Sequence, residues 1–308
     1  MATATAPDLS SLKDTTVIIT GGASGMGLAT TLEWAAAGAY VTIADVLEDA
    51  GQQTAADLTA KGQHVTFVRC DVSDWSSATA AFKHAIAFGV NGGLDVAALF
   101  AGVVGDAGNL TDQVIAAKKA TNSGDDPVCP RHVALEVNFR GLYETAWLAL
   151  YYMQGAQSEG DNLSPTKSLI LVGSLGSYTD SPPYSDYNAA KFGVRGLFRG
   201  LRHSTPSIGV SLSLLAPWWV DTPMVRSQMA LYEKDGVEPG KGMTFTPMHH
   251  VVNAASRCAV DPVGMSGKAI LVEPEGYMDF QDDEGGKWGG DVLAAAWQRS
   301  RAAGDRVS

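Results

Sequence analysis

A tyrosine and a lysine four residues apart carry the most pointed chemistry in this sequence, in the run Tyr187-Asn188-Ala189-Ala190-Lys191. On a helix that spacing sets the phenol and the ammonium on one face. A free phenol, with a pKa of about 10, is a poor base at neutral pH. A cation beside it stabilises the phenolate and lowers that value. Such a tyrosine accepts a proton from a hydroxyl as hydride leaves the adjoining carbon, or returns one in the reverse direction. Tyr178 and Tyr184 lack the arrangement, having Pro182 and Asn188 four residues on.

A second pattern is Thr20-Gly21-Gly22-Ala23-Ser24-Gly25-Met26-Gly27. It follows the β-branched apolar run Thr16 to Thr20 and leads into a helical stretch, Leu28 to Ala37, stopped by Gly38. Strand, glycines and helix in that order form a pyrophosphate site, because a helix N-terminus offers free backbone N–H groups and the positive end of its dipole. Gly21 is expected to make the tight turn, Gly25 to let backbone approach the phosphates, and Gly27 to permit close helix–strand packing. Ser24 and Met26 complete the loop. Asp45 ends the next strand, Tyr40 to Ala44, where a carboxylate accepts bonds from both ribose hydroxyls and opposes a 2′-phosphate. With no Lys or Arg in the glycine loop, NAD rather than NADP is expected; the other reading of Asp45 is a helix cap. Asp71, followed by Val72, ends a third strand, His64 to Arg69, and either meets the adenine or lies in an ordinary turn.

These side chains need a scaffold, and the hydrophobic pattern supplies one. Helices at about Leu47 to Lys61 and Trp75 to Phe88 alternate with those strands, and a fourth strand, Leu94 to Phe100, ends in Ala101-Gly102. The alternation resumes with a long helix Val133 to Tyr152, strand Ser168 to Gly173, helix Asp186 to Leu201, strand Val210 to Leu215 and strand Ala269 to Val272. Continuous apolar strands alternating with helices specify an α/β fold with a doubly wound parallel sheet, helices on both faces. Two stretches break the rhythm, an insertion at about 103–131 and a Met-, Gly- and Pro-rich segment at about 223–247 that reads as a substrate lid. An acidic extension follows from about 277 to 308, with a short helix expected from Asp291 to Arg301.

Composition narrows the partners. The chain has 308 residues, 33 acidic against 22 Lys plus Arg, a net charge of −11, and 45% apolar residues. That balance argues against nucleic acid and anionic membranes, which require clustered cations. Cys70, Cys129 and Cys258 are too few and too scattered for a disulfide framework or a zinc site, so a reducing, cytoplasmic compartment is expected. Met1 to Asp14 has no basic start followed by an apolar run, and no secretory signal is expected. No run of about twenty apolar residues is present to span a bilayer. The six histidines, His249-His250 included, show no ligand spacing, and no metal is expected. No G-x-S-x-G occurs, which removes a serine hydrolase of the nucleophile-elbow type.

Together the glycine loop and the Tyr187/Lys191 pair resemble the T-G-x-x-x-G-x-G and Y-x-x-x-K motifs of short-chain dehydrogenases/reductases, a likeness spanning about residues 14 to 275. It implies one Rossmann-type domain over 1–308 with about seven strands, an NAD cofactor, and hydride transfer between it and a secondary alcohol or ketone. It also implies a role for Ser174, which matches the family's catalytic serine by its distance ahead of Tyr187 and would hold the substrate oxygen; Ser177 is the competing candidate. Asn138, in Glu136-Val137-Asn138-Phe139-Arg140-Gly141, resembles the asparagine that kinks the family's helix and holds a water linked to the lysine. Lys191 would also hold the nicotinamide ribose. Ala216-Pro217-Trp218-Trp219-Val220-Asp221-Thr222 resembles the segment that meets the carboxamide, implicating Pro217, Val220 and Thr222. Trp218 replaces the usual glycine. Trp218, Trp219, Met224 and Met229 either line a pocket for a bulky apolar substrate, steroid-, lipid- or polyketide-like, or fill the core at the sheet edge. The family's N-N-A-G reads Leu99-Phe100-Ala101-Gly102 here, leaving Ala101 and Gly102 for the adenosine side. A homodimer or homotetramer through the helices carrying Asn138 and Tyr187 is expected. The rival reading of the same scaffold is a nucleotide-binding sensor without redox turnover.

Overall fold

The first strand, β1 (Thr16–Thr20), is buried along its whole length. Val17 and Ile19 face one core and Ile18 the other, the period-2 alternation of a strand covered by helices on both faces. The computed structural model describes residues 5–105, 110–120, 126–154, 164–179, 184–234 and 244–283, with side chains left aside at 228, 230–234 and 283. After β1 come α1 (Gly25–Ala36), β2 (Tyr40–Asp45), α2 (Glu48–Thr59), β3 (Val65–Arg69), α3 (Trp75–Phe88), β4 (Val96–Leu99), α4 (Leu110–Ala120) and α5 (Val133–Leu135). A π-helical turn (Glu136–Gly141) leads into α6 (Leu142–Met153). Then follow β5 (Lys167–Val172), α7 (Ser185–Leu201), β6 (Val210–Pro217), α8 (Pro223–Lys234), α9 (Met248–Val260), β7 (Ala269–Glu273) and β8 (Gly276–Asp279).

The sheet order is β3-β2-β1-β4-β5-β6-β7-β8. Seven strands are parallel and β8 returns antiparallel on β7, pairing Val272 with Tyr277. The acidic extension expected from residue 277 therefore begins inside the sheet. Pro274-Glu275 allows a tight reversal there, and Gly276 has φ of +142°. The helix expected from Asp291 to Arg301 lies outside the described residues.

Two helical layers cover the sheet. Trp34 on α1, Leu58 on α2 and Val251 on α9 fill one core, where the Trp34 indole donates to the Ser256 hydroxyl at 2.8 Å. Phe82 on α3, Leu148 on α6 and Phe198 on α7 fill the other. The switch point lies between β1 and β4, where the order reverses, so the loops after β1, β2, β4 and β5 open at the same sheet edge, the usual ligand crevice of such folds.

The long helix expected from Val133 to Tyr152 departs from regularity around Asn138. One π turn bends the chain so that Gly141 packs on the β3–α3 connection; a Cβ there would lie 2.8 Å from the Val72 carbonyl oxygen. Turns of this type recur at functional sites. In the insertion at 103–131 the described part contains α4, whose residues are all outside the core. The Leu110 N–H donates to the Ser185 hydroxyl at 3.1 Å, tying it to the start of α7.

Candidate active site

The glycine loop is fixed by close approach as much as by its phosphate-binding role. Gly21 has φ of +70°, and a Cβ on it would lie 2.7 Å from the Ala101 nitrogen, so only glycine lets β1 and β4 close on each other. A Cβ on Gly27 would meet the Gly21 carbonyl oxygen at 2.2 Å, the helix–strand contact expected of that residue. Gly25 is also left-handed, at +52°, and the position its Cβ would take is 3.3 Å from Thr222 Cγ2. Ser24, extended at the head of α1, makes no side-chain cap, and no acidic residue occupies the first turn. The first N–H groups of α1, Met26 and Gly27 among them, thus form an uncapped positive helix end flanked by glycines. This chemistry fits a dinucleotide pyrophosphate.

Asp45 is 7% exposed. Its carboxylate accepts the Ala23 N–H at 2.9 Å and the Leu47 N–H at 3.0 Å, tying the glycine loop to the β2–α2 connection. Asp45 is therefore not a helix cap, since Leu47 stands at the N-cap of α2 with no side-chain cap; a carboxylate has roughly four acceptor positions, and two are taken. Asp71 accepts from Ser73, N–H at 2.9 Å and Oγ–H at 2.6 Å, and these bonds, first that from the hydroxyl, hold its carboxyl below the usual range. Val72 is buried against Gly141. Ala101 and Gly102 continue from β4 toward Asn138, whose Oδ1 stands 3.2 Å from where a Gly102 Cβ would be.

At the other end of the site, Ser174 begins a single 3₁₀ turn, Leu175–Ser177, after β5. Its Oγ accepts the Gly176 N–H at 3.1 Å and hydrogen-bonds the Tyr187 phenol. Ser177 is fully buried and accepts the Ser174 N–H at 3.3 Å. Ser174 thus lies toward the phenol and Ser177 beneath the turn. Lys191, 6% exposed, donates to the Val172 carbonyl at 3.0 Å and sits 5.6 Å from the Tyr187 ring centroid. Their i, i+4 spacing on α7 does bring them together.

Burial pushes the Tyr187 phenol above its usual value, and the Ser174 hydrogen bond only partly offsets it. Burial also pushes Lys191 down to about 8. Desolvation is the largest cause for both groups.

Asn138 is fully buried, and its side-chain amide bonds the chain that leaves β4. Oδ1 accepts the Val103 N–H and Nδ2 donates to the Val103 carbonyl, both at 2.7 Å. The side chain thereby imitates one rung of a ladder and fixes the chain leaving β4. The segment after β6 is placed by backbone. Pro217 ends the strand, the Trp218 N–H donates to Val272 at 2.8 Å, and Trp219 accepts from Thr246 at 2.8 Å. Val220 is buried in a parallel bridge with Thr246, a partner no sequence motif announced. Thr222 is buried, accepts the Val225 N–H at 3.3 Å, and so caps α8. Trp218 and Trp219 are half-buried and Met224 is 37% exposed. Part of the expected lid, 235–243, lies outside the described residues.

Among the described residues no group of His, Cys, Asp or Glu could hold a metal ion, and no helix is long and apolar enough to cross a membrane. Comparison with known proteins agrees with this geometry. The profile described as short chain dehydrogenase matches residues 15–232. A 5′-hydroxyaverantin dehydrogenase of Dothistroma septosporum is 44% identical over 298 residues, 96% of each chain, and a second of Emericella nidulans is 42% identical over 300, again 96% of each. An NADP-dependent dehydrogenase of Cochliobolus lunatus is 37% identical over 214 residues, 68% of this chain and 72% of that one. Levodione reductase shares the fold, with a TM-score of 0.69 at 22% identity over 85% of this chain and 97% of its own. The chain belongs to the short-chain dehydrogenase/reductase family. It is an oxidoreductase acting on an alcohol or ketone with a nicotinamide cofactor.

Proposed function

We propose that this enzyme oxidises a secondary alcohol on a bulky, largely apolar secondary metabolite, with NAD as the preferred nucleotide. The observation that carries the reading is the convergence of Ser174, Tyr187 and Lys191 at the crevice that the glycine loop opens. The two full-length relatives named for 5′-hydroxyaverantin support a hydroxylated secondary metabolite as the class of substrate. Trp218, Trp219 and Met224, partly open beside Thr222, give such a molecule an apolar wall.

In this reading α1 and the glycine loop hold the pyrophosphate, Asp45 the ribose of the adenosine half, and Asp71 with Val72 the adenine. Ala101 and Gly102 would hold the adenosine side, and Pro217, Val220 and Thr222 would hold the carboxamide. When bound, the oxidised nicotinamide supplies a positive ring and a hydride-accepting carbon. Ser174 Oγ donates to the substrate oxygen and holds its carbinol carbon in reach. Tyr187 accepts the hydroxyl proton as the C–H electron pair departs with hydride, leaving a ketone. Lys191, on the same helix face, stabilises the phenolate and holds the nicotinamide ribose. Burial raises the phenol, and Lys191, together with the positive ring that a bound oxidised cofactor would bring, would favour the phenolate. Asn138 keeps the β4 exit in place.

The preference for NAD rests on the Asp45 charge at the tip of β2. A competing nucleotide reading exists because Arg69 stands opposite Asp45 in the β2–β3 register and could meet a 2′-phosphate. An assembly of like chains is supported by an aromatic face on α6 and α7, where Tyr143, Trp147, Tyr151 and Phe192 are 46% to 59% exposed. Trp147 stacks on Tyr151 at 5.2 Å, a preformed patch of the kind that marks interfaces. A cytoplasmic setting accords with three free cysteines, two of them buried.

The test is a panel of secondary alcohols and ketones, small to polycyclic, followed by NADH or NADPH absorbance. Tyr187→Phe should retain nucleotide binding and lose about 10²–10⁴-fold in turnover. Substantial residual turnover removes Tyr187 from this role, and a wild type faster with NADPH overturns the cofactor assignment.

A further inference from the structure

Asp282 is the least expected buried charge in the molecule. It follows β8 in a stretch of sequence that is mostly acidic, yet its side chain is fully enclosed. Its backbone is left-handed, φ +24°, after Gln281 at +62°; only one other described non-glycine residue, Asp14, has positive φ. Such conformations cost energy and persist where the surroundings impose them. Here the surroundings are two guanidinium groups from α7 and the turn that follows it. Arg195 Nε donates to Asp282 Oδ1 at 2.7 Å, and Arg202 lies 3.6 Å from Oδ2 and 3.4 Å from the Asp282 carbonyl oxygen.

The cluster reaches the catalytic turn through Tyr178. That residue closes the turn begun by Ser174, its N–H donating to Leu175 at 2.9 Å. The Arg195 guanidinium covers the Tyr178 ring at 4.2 Å, and Phe280 packs against the ring at 4.6 Å and 68°. Burial and then the Asp282 charge push the Tyr178 phenol up, so it stays neutral and acts as a fixed wedge. On the helix side, Arg195 stands one turn beyond Lys191 and two beyond Tyr187, on the same stripe. Two short segments thus carry the reacting side chains, four residues from Tyr178 back to Ser174 and two helical turns from Arg195 back to Tyr187, and both end at Asp282.

We propose that Asp282 is a positioning residue for the reaction, clamping the Ser174 turn to α7 through Arg195 and Tyr178 and thereby setting the distance between Ser174 and Tyr187. Stability alone is a poor reason for the arrangement, because buried ion pairs are often replaceable by apolar residues without loss. A planar guanidinium held at once by a carboxylate and an aromatic face does specify one orientation. The inference rests on the catalytic reading of Ser174 and Tyr187 given above.

The experiment compares Asp282→Asn and Asp282→Glu with wild type in kcat, KM for alcohol and nucleotide, nucleotide Kd and folded fraction. Asp282→Asn should lower kcat of the folded enzyme by about tenfold or more with nucleotide Kd unchanged, since small misplacements of reacting groups are costly. Asp282→Glu, which restores the charge, should recover part of it. A role confined to stability predicts a lower unfolding midpoint with kcat per folded molecule within about twofold of wild type, and that result overturns the proposal. If Asp282→Asn yields no folded protein, Arg195→Lys, which keeps a cation but loses the planar cover on Tyr178, decides the matter by the same kcat criterion. Tyr187→Phe run alongside separates the two ideas. Activity surviving in Tyr187→Phe defeats the catalytic reading; an inactive Tyr187→Phe with an undiminished Asp282→Asn defeats only the clamp.

Discussion

The β1–β4 half and the β5–β8 half of this molecule hold their shared crevice by different means. On the nucleotide side the backbone is the machinery: absent Cβ atoms at Gly21 and Gly27, an uncapped helix end, and a carboxylate tied to two N–H groups. On the other side the side chains carry it, with Ser174 after β5 and Tyr187 and Lys191 on α7. A site made of backbone tolerates almost no substitution and is rigid by construction. A site made of side chains is adjustable, and needs bracing such as the contacts around Asp282.

The comparison breaks most readily at Gly27. A methyl group 2.2 Å from the Gly21 carbonyl cannot be absorbed by a rotamer change, because the obstacle is backbone. Gly27→Ala should therefore cost about 3 kcal/mol or more, at the upper end of overpacking penalties. Urea denaturation and nucleotide titration would measure it. A variant with wild-type stability and affinity would mean that the β1–α1 junction shifts freely, and the contrast between the halves would fail.

That asymmetry also explains what the sequence makes legible. Gly21, Gly25, Gly27 and Asp45 are neighbours in sequence and in space, so their roles follow from local order. Tyr187 and Lys191 are legible for the same reason, one helical turn apart. Asp282 is not, because it sits in a run with Asp279 and Asp283 that reads as a solvated tail, and its partners Arg195 and Arg202 lie about eighty residues away. The irregularity at Asn138 is expected from the family resemblance alone, because the hydrophobic spacing from Val133 onward fits an ordinary helix, and the amide's partner, Val103, comes from the insertion. Strand β8 is hidden because Gly276–Asp279 is too short to show alternation. The shift of the Tyr187 phenol depends on burial, which only the packed site reveals.

Lys191 sharpens the contrast, since the substrate half must bury a charge to work. Its ammonium, pushed from 10.5 to about 8 by desolvation, binds protons less readily in the folded chain than in the unfolded one. Folding is therefore penalised below about pH 8, and the penalty is relieved as pH rises from there toward 10.5, where the unfolded chain would also lose its proton. Lys191→Met should be more stable than wild type at pH 7 by about 1–3 kcal/mol, less whatever the lost bond to Val172 contributes, while turnover is largely abolished. Denaturation across pH 7 to 10 would check it. A wild-type stability that fails to gain on the variant over that range would show the ammonium to be well solvated.

The smallest effect is expected within the β1–β4 half, at Asp45. Asp45→Asn keeps an acceptor for Ala23 or Leu47 but removes the charge that opposes a 2′-phosphate. The ratio of NAD to NADP affinity should fall by about tenfold, a change of about 1.4 kcal/mol, with kcat at saturating nucleotide little altered because Tyr187 and Ser174 are untouched. Arg69→Ala provides the counter-test from the adjacent strand. If it weakens NADPH selectively and Asp45→Asn leaves the ratio where it was, then β3 sets the preference, and the discriminating charge is the cation opposite Asp45 in the β2–β3 register.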